Sequence, residues 1–244
     1  MRNLSLSDID FHKLIEIQKK ISQKIILKPV NLRNIKYVGG ADASYIKGEE
    51  LIIGVITVFS YPDLRFLEYQ YCVDKVNFPY IPTFLSFREA PVLEKTWLKL
   101  KIKPEVLLVD GQGIAHPRRA GIASVIGVDL NIPTVGIAKS HLWGKYEKLN
   151  ILKRGNYKYI YEHNEILGVI ICTKDGVKPL YVSPGNLCDI NSAIDIVIST
   201  AINYKLPEPL RMADILSKKL KRGCKKNVKK AMDVGGTGSN LSQR

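Results

Sequence analysis

Three apolar segments lie close together in the first third of the chain, at residues 36–44, 51–60 and 65–73. They are rich in Val, Ile, Phe and Tyr, the residue types that fit the half-buried surface of a sheet. Two short polar stretches separate them, Gly48-Glu-Glu and Tyr61-Pro-Asp. The pattern predicts an antiparallel meander of three strands.

The pattern changes after the meander. A helical stretch near residues 91–101 leads to a strand that ends at Asp110, and a second near 117–130 leads to a short buried strand at 133–139. Alternation of strands and helices requires neighbouring strands to be parallel. We therefore expect the first strand of the meander to lie beside the Asp110 strand.

The remaining segments complete a mixed sheet flanked by helices. Residues 166–172 and 179–183 form a predicted second hairpin, and helices are expected near 189–203 and 208–222. Residues 8–26 have the spacing of a surface helix rather than of a signal peptide. The predicted class is α/β, with the strand order of a ribonuclease H-like domain.

Two aspartates end apolar runs, Asp42 in the first strand and Asp110 in the fourth. A carboxylate at the end of a buried strand lies where the sheet opens to solvent. If the two strands are neighbours, the two carboxylates can share a divalent cation, and hard oxygen ligands of this kind suit Mg²⁺. The alternative is that each aspartate caps a turn, as is common before glycine.

Charge indicates the class of partner. The chain has 37 basic and 23 acidic residues, a formal net charge of +14 and a pI near 9.5, which favours attraction to phosphate. More than half of the excess lies in the last thirty residues, where one acidic residue, Asp233, stands against nine basic ones: Lys218, Lys219, Lys221, Arg222, Lys225, Lys226, Lys229, Lys230 and Arg244. Nucleic acid is the leading interpretation.

We predict one folded domain at residues 1–222, followed by a basic, flexible tail at 223–244. The Gly- and Ser-containing stretch at 235–240 offers nothing to bury. Cys72, Cys172, Cys188 and Cys224 show no Cys-x-x-Cys spacing, which argues against a zinc site or a disulfide framework. A cytoplasmic location, a monomer and no membrane contact are the default expectations.

A proline-bracketed loop follows the meander, Phe78-Pro-Tyr-Ile-Pro82. The prolines stiffen the backbone and expose its middle, so Pro79, Tyr80, Ile81 and Pro82 can form a wedge that helps to unstack a base. The alternative is a turn whose Tyr80 and Ile81 pack inward.

Glu89 and Arg88 come next, just before Pro91, which fits the first turn of a helix. Glu89 is therefore expected at or before a helix start, where it could be a third metal ligand or orient metal-bound water. Arg88 beside it is a candidate DNA-binding residue. A surface Arg–Glu pair is the alternative interpretation.

The turn after Asp110 combines two further features. Gly111 and Gly113 leave backbone open to a flat base, and His116 with Arg118 opens the next predicted helix, whose start can hold phosphate. Lys139 ends the following strand on the same edge, where its ammonium could neutralise phosphate charge.

Together these residues resemble one family closely, the endonuclease V enzymes of DNA repair. The motifs run in order from about residue 10 to 222: Gly40-Ala-Asp-Ala-Ser44, Pro79-Tyr-Ile-Pro82, Phe87-Arg-Glu89, Val109-Asp-Gly-Gln-Gly-Ile-Ala-His-Pro-Arg118, Gly136-Ile-Ala-Lys-Ser140, Val182-Ser-Pro-Gly185 and Leu206-Pro-Glu-Pro-Leu-Arg211.

The resemblance implies a ribonuclease H-like fold, dependence on Mg²⁺ with Mn²⁺ as a substitute, and hydrolysis of the second phosphodiester bond 3′ to a deaminated purine such as deoxyinosine, leaving a 5′-phosphate. It implies metal binding by Asp42, Asp110 and Asp214, with Glu89 and Lys139 completing the catalytic centre. It makes Tyr80 the wedge, His116 a neighbour of the substrate, and Leu142 part of the base pocket with the glycine turn.

Three positions depart from the family pattern. Asp214 stands where many bacterial members have histidine, and Thr83 and Ala90 stand where glycine is frequent. Two alternatives to the DNA enzyme stay open: a ribonuclease acting on inosine in RNA, and a binding protein that has kept the fold without cleaving.

Overall fold

The computed structural model describes residues 9–46 and 50–234, the last ten of these through their backbone. One nine-stranded sheet organises the chain, with strand order β3-β2-β1-β4-β5-β9-β8-β7-β6. The strands are β1 (Tyr37–Ile46), β2 (Leu51–Ser60), β3 (Phe66–Lys75), β4 (Val106–Asp110), β5 (Thr134–Ala138), β6 (Lys145–Tyr146), β7 (Tyr157–Glu162), β8 (Glu165–Ile171) and β9 (Leu180–Asn186).

Five α-helices and one short 3₁₀ turn at Leu32–Asn34 surround the sheet. The helices are α1 (Phe11–Ser22), α2 (Leu85–Lys99), α3 (Ile122–Asp129), α4 (Ile190–Thr200) and α5 (Glu208–Val234). The architecture confirms the predicted α/β class, a mixed sheet flanked by helices.

The middle of the sheet explains how the two aspartates meet. β1, β2 and β3 form the predicted antiparallel meander, and β1 pairs with β4 in parallel, with Ala41 opposite Val109. β5 continues the parallel set on the other side of β4. Because parallel strands end at the same edge, Asp42, Asp110 and the residues just after β5 lie together.

Both faces of this central sheet are covered. Leu107 and Val109 of β4 pack with α2 and α3, whereas Val106 and Leu108 pack with α4 and the start of α5. β4 is therefore apolar at every buried position, as expected of a strand between two helical layers. No helix within the described ranges is long and apolar enough to cross a membrane, and all four cysteines are free thiols.

The helix boundaries differ from prediction in two places that matter for the site. α2 begins at Leu85, not near residue 91, so Pro91 lies inside the helix and Glu89 lies in its second turn. α3 begins at Ile122 instead of residue 117, so His116 and Arg118 belong to the preceding turn. The expectation that Glu89 precedes a helix, and that Arg118 starts one, was wrong.

The outer strands and the C-terminal helix complete the comparison. β8 and β9 form the predicted antiparallel hairpin, while β6 and β7 were not predicted. α5 continues through residue 222 to Val234, and the stretch from residue 235 lies outside the described residues, as do Gly48 and Glu49 of the first turn.

Candidate active site

Three carboxylates converge where the parallel strands end. Asp42 lies within β1, Asp110 is the last residue of β4, and Asp214 lies in the second turn of α5. Each offers an oxygen within 4.8 Å of the other two. The structure thus brings together the three residues that the sequence proposed as metal ligands.

Close packing of α5 on β1 delivers Asp214 to this edge. A Cβ atom at Gly40 would lie 2.2 Å from the Pro209 carbonyl carbon, so only glycine allows this approach. Thr57 on β2 fixes the same point by donating a 2.8 Å hydrogen bond to the Pro209 carbonyl. The helix start is therefore held against the strand two residues before Asp42.

Lys139 follows β5 and reaches the same carboxylates. Its Nζ lies 2.6 Å from Asp110 Oδ2 and 3.5 Å from Asp214 Oδ1. Burial lowers the pKa of Lys139, but the negative charges of Asp110 and Asp214 outweigh burial and leave the pKa above its ordinary value. The ammonium is thus charged at neutral pH and sits where excess negative charge accumulates.

Asp42 is the most buried of the three aspartates, with 7% of its surface exposed. Its Oδ2 accepts a hydrogen bond from Ser217 Oγ, and Ser44 Oγ in turn donates to Ser217 Oγ over 3.1 Å. Burial raises the pKa of Asp42 to about 7, the Ser217 hydrogen bond opposes this rise, and the charges of Asp110 and Asp214 add to it. A cation among the carboxylates would relieve this repulsion.

Glu89 lies on the inner face of α2 and lines the same cavity as Asp42 and Asp110. Its Oε1 accepts a 2.6 Å hydrogen bond from the Tyr45 hydroxyl. Burial raises the pKa of Glu89 to about 7, against the lowering effect of the Tyr45 hydrogen bond. Glu89 is not one of the three converging carboxylates in the described part of the chain, which favours a role in orienting water over direct ligation.

A cavity of about 390 Å³ extends from the carboxylates toward the proline-bracketed loop. Its walls carry Tyr80, Leu142 and Gly111 in addition to the acidic residues Asp42, Glu89 and Asp110. Tyr80 is 68% exposed, so the loop presents its aromatic ring outward at the mouth of the cavity, contrary to the inward-packed alternative. Ile81 and Pro82 line the cavity beside it.

Thr83 anchors this loop with a backbone φ of +68°, in the left-handed region that favours glycine. Its carbonyl accepts hydrogen bonds from Gln18 Nε2 and His116 Nε2, each at 2.8 Å. Its hydroxyl accepts a 2.7 Å hydrogen bond from Arg118. The departure from glycine at this position is thus accompanied by a hydrogen bond that only a hydroxyl side chain supplies.

His116 is buried beneath the loop, with 2% of its surface exposed. Nδ1 accepts from the Arg118 backbone N–H, which leaves Nε2 as the donor to the Thr83 carbonyl. Burial is the main cause that lowers the pKa of His116 to about 4; the charges of Arg118 and Arg119 contribute to this lowering, and the Thr83 hydrogen bond opposes it. The imidazole is neutral and its role here is to hold the loop.

Other residues predicted to contact substrate are engaged by the protein itself. Arg118 binds Gln18 and Thr83 and lies 4.6 Å from the Phe84 ring centroid, so it does not offer a free phosphate site. Arg88 donates to the Phe78 carbonyl and lies over the Tyr45 ring.

Gly113 and Pro79 also differ from expectation. A Cβ at Gly113 would lie 2.0 Å from the Pro184 carbonyl oxygen, so this glycine permits close packing of the turn on β9 instead of approach by a base. Pro79 is absent from the cavity wall within the described residues, unlike Ile81 and Pro82. Gly111, with φ of +141°, does line the cavity.

Comparison with known proteins agrees with this arrangement. The endonuclease V family model matches residues 19–215. The endonuclease V of Dictyoglomus thermophilum is 49% identical over 211 residues, which are 86% of this chain and 91% of that protein. The chain belongs to the endonuclease V family.

Solved structures show the same architecture. The Bacillus subtilis endonuclease V matches with a TM-score of 0.85 at 28% identity, over 93% of this chain and 98% of that chain. The Ciona intestinalis endonuclease V, solved with a 24mer DNA containing an inosine followed by a ribo-adenosine, matches with a TM-score of 0.77 at 30% identity, over 87% and 98%. Membership in this family makes the chain a nuclease, and hence a hydrolase.

Sequence reasoning missed several residues that shape this endonuclease V site. Three of them donate hydrogen bonds to residues of the site: Ser217 to Asp42, Tyr45 to Glu89, and Gln18 to the Thr83 carbonyl of the proline-bracketed loop. Only Ser217 carried a detectable signal, because it lies three residues after Asp214 and so faces the same side of a helix.

Proposed function

We propose that this chain is a Mg²⁺-dependent DNA repair endonuclease that recognises deaminated purines, chiefly deoxyinosine. It would hydrolyse the second phosphodiester bond 3′ to the lesion and leave a 5′-phosphate. The observation that carries the proposal is the convergence of Asp42, Asp110 and Asp214 beside Lys139. Asp42, Asp110 and Lys139 also line a cavity that the exposed Tyr80 borders.

The donor set fits a hard divalent cation. Asp42, Asp110 and Asp214 supply only carboxylate oxygens, the ligands that Mg²⁺ prefers, and Mn²⁺ accepts the same set. The raised pKa of Asp42, caused mainly by burial and also by the two neighbouring carboxylates, marks a site with uncompensated negative charge. When bound, the ion would stabilise charge on the attacked phosphate and lower the pKa of a bound water.

The protein's own groups would complete the reaction. Lys139 Nζ lies between Asp110 and Asp214 and would donate a hydrogen bond to an oxygen of the attacked phosphate. Glu89, held by Tyr45, would accept a hydrogen bond from the attacking water once its carboxyl is ionised. Its pKa of about 7, raised by burial, suits an exchange of protons near neutral pH.

The cavity and the loop would select the base. Tyr80, whose ring is exposed, would fill the space that an extruded base leaves in the stack, and so would offset part of the unstacking cost of a few kcal/mol. The extruded base would enter the cavity beside Gly111 and Leu142. Hypoxanthine presents O6 as an acceptor where adenine presents an amino donor, so a site with donors rejects adenine by leaving groups unpaired.

Inosine-containing RNA is the second candidate substrate. The Ciona intestinalis relative was solved with a ribonucleotide directly after the inosine, so a 2′-hydroxyl next to the lesion is compatible with this fold. A binding protein without cleavage is disfavoured by Glu89 and Lys139, which line one cavity with Asp42 and Asp110. It is also disfavoured by Asp214, which converges with those two aspartates.

The test compares matched duplexes that differ only in inosine or adenosine at one position, in DNA and in RNA, with Mg²⁺ or with EDTA. Nicking of inosine DNA that requires Mg²⁺ is expected, with the cut mapped by the length of the labelled product. Asp110→Asn should abolish nicking while binding persists, and Asp63→Asn, which alters an exposed ion pair with Arg65, serves as the control. Binding without nicking in any combination would refute the proposal, and preferential nicking of RNA would replace the substrate.

A further inference from the structure

One face of α5 packs on the sheet beyond the carboxylates. Leu216, Leu220 and Cys224 contact a small core formed by Ile53 and Val55 of β2 with neighbouring residues. These three positions recur every four residues, so they follow one side of the helix. The helix is therefore seated on β1 and β2 by a single apolar stripe.

The opposite face of α5 is basic. Lys218, Lys219 and Arg222 are exposed and Lys221 is half-buried. On a helix with 3.6 residues per turn these four positions fall within an arc of about 160°, turned away from the apolar stripe. The sequence continues the same spacing with Lys225, Lys226, Lys229 and Lys230, and the backbone stays helical through Val234.

This basic face begins at the candidate active site. Lys218 Nζ lies 2.5 Å from Asp214 Oδ2, one helical turn after the aspartate that converges with Asp42 and Asp110. From Asp214 to Lys230 the helix rises by about 24 Å at 1.5 Å per residue. That distance corresponds to about seven base pairs of duplex at 3.4 Å each.

The basic face also lies beyond the residues that the family model matches. The family model ends at residue 215, just before the first of these lysines. The convergence of carboxylates is complete at Asp214, so the following positive charges are not needed to build the centre. They require a separate explanation.

We propose that the basic face of α5, which begins with the exposed residues Lys218, Lys219 and Arg222, binds the phosphate backbone of the duplex that flanks the cleaved bond. The inference rests on the proposed function, because a centre that cuts phosphodiesters holds a phosphate beside Asp214. The polyanion that continues from that point is the substrate itself. Ammonium and guanidinium groups in a row bind such a backbone without reading its sequence, by releasing condensed counterions.

The test replaces Lys219, Arg222, Lys226 and Lys229 by glutamine in the full-length chain. Lys218 is left intact because it touches Asp214. Glutamine has nearly the helix propensity of lysine, so the helix is retained, which circular dichroism verifies. The control replaces Arg33, Lys36, Arg65 and Lys101 by glutamine, four exposed residues at the opposite edge of the sheet with the same total charge change.

The readout is the slope of log affinity against log salt for a plain duplex in EDTA, where no cleavage occurs. Each lost phosphate contact flattens this slope by about 0.9. We expect the α5 variant to flatten it by about 2 to 4 and the control to leave it unchanged. An unchanged slope in the α5 variant, or equal flattening in both variants, would overturn the proposal.

Duplex length gives a second arm of the experiment. This arm uses a duplex with one inosine in EDTA, so that the lesion fixes the register of the bound protein. Shortening the duplex to about three base pairs on the side that α5 follows should lower the wild-type affinity to that of the α5 variant, since fewer phosphates reach the helix. If the wild type still binds more tightly than the α5 variant after either side of the duplex is shortened, the proposed path along α5 is wrong. Because the salt slope is read on duplex without inosine, it decides the role of α5 even if inosine-directed cleavage is never observed.

Discussion

Ser217 on α5 donates a hydrogen bond to Asp42 on β1, and so ties the helix that carries Asp214 to the strand that carries a second converging carboxylate. The same serine lies within 3.1 Å of the Asp214 carbonyl oxygen and of Ser44 Oγ. Partners of metal-binding carboxylates fix ligand orientation, and their loss weakens metal binding by about 10- to 100-fold.

Ser217→Ala should therefore raise the Mg²⁺ concentration needed for half-maximal nicking by about 10-fold or more. Isothermal titration of Mg²⁺ into the wild type and the variant measures the affinity without substrate. Ser124→Ala is the matched control, because Ser124 is also buried but its hydroxyl has no hydrogen-bond partner among the described residues. Equal affinities in wild type and Ser217→Ala would show that this contact does not position Asp42.

His116 predicts a pH dependence of stability. Burial lowers the pKa of His116 in the folded protein to about 4, from its ordinary value of 6.5. Because the folded pKa is lower, the unfolded chain binds the proton first as pH falls. This contribution to stability is fully present above pH 6.5 and is lost as the pH falls toward 4, by about 3 kcal/mol in total.

The measurement is urea unfolding of the wild type and His116→Gln between pH 7 and pH 4 in EDTA. The wild type should lose stability relative to the variant across this window. The difference is used because the raised pKa values of Asp42 and Glu89, caused mainly by burial, act in the opposite direction in both proteins. Parallel curves would mean that folding does not lower the pKa of His116.

The central geometry was predictable from the chain because it depends on local signals. Apolar runs ending in Asp42 and Asp110, separated by helical patterns, require parallel neighbours, and the register of β1 with β4 confirms their adjacency. Asp214 came from the resemblance, since nothing in its local sequence distinguishes it from a surface residue of a helix.

The errors arose where distant residues decide the structure. Pro91 was interpreted as a helix start, but α2 buries its face from Leu85 onward and accepts the proline inside. Arg118 was assigned to phosphate, yet it binds Gln18, which is 100 positions earlier in the chain. β7 was missed although Tyr157, Tyr159 and Tyr161 alternate in the manner of a strand.

The backbone conformation of Thr83 predicts different stabilities for two small substitutions. Its φ of +68° is costly for a β-branched residue, and its hydroxyl accepts a hydrogen bond from Arg118. Thr83→Ala removes the hydrogen bond and keeps the backbone strain, so it should destabilise the fold by about 1 to 2 kcal/mol. Thr83→Gly removes both, and should be more stable than Thr83→Ala by about 1 kcal/mol.

Chemical denaturation of the two variants beside the wild type checks this order. The difference in stability between the two variants reports the cost of the left-handed backbone conformation, because neither variant retains the hydroxyl. If Thr83→Ala proves the more stable of the two, the left-handed conformation does not cost what its φ indicates, and the gain of backbone freedom in the unfolded glycine chain dominates.

Tyr80 tests whether the exposed ring acts on the substrate. Tyr80→Ala should reduce the preference for inosine over adenosine DNA by about 10-fold, because the void left by an extruded base is no longer filled. Tyr80→Phe should keep the preference, since the ring and not the hydroxyl fills the space.

The readout is kcat/KM on matched duplexes, together with base extrusion followed by 2-aminopurine fluorescence beside the lesion. Tyr69→Ala, which removes a ring on β3 that is 38% exposed and is not part of the cavity wall within the described residues, is the control. A preference that survives in Tyr80→Ala would mean that base selection resides entirely in the cavity, and that the loop serves only to close it.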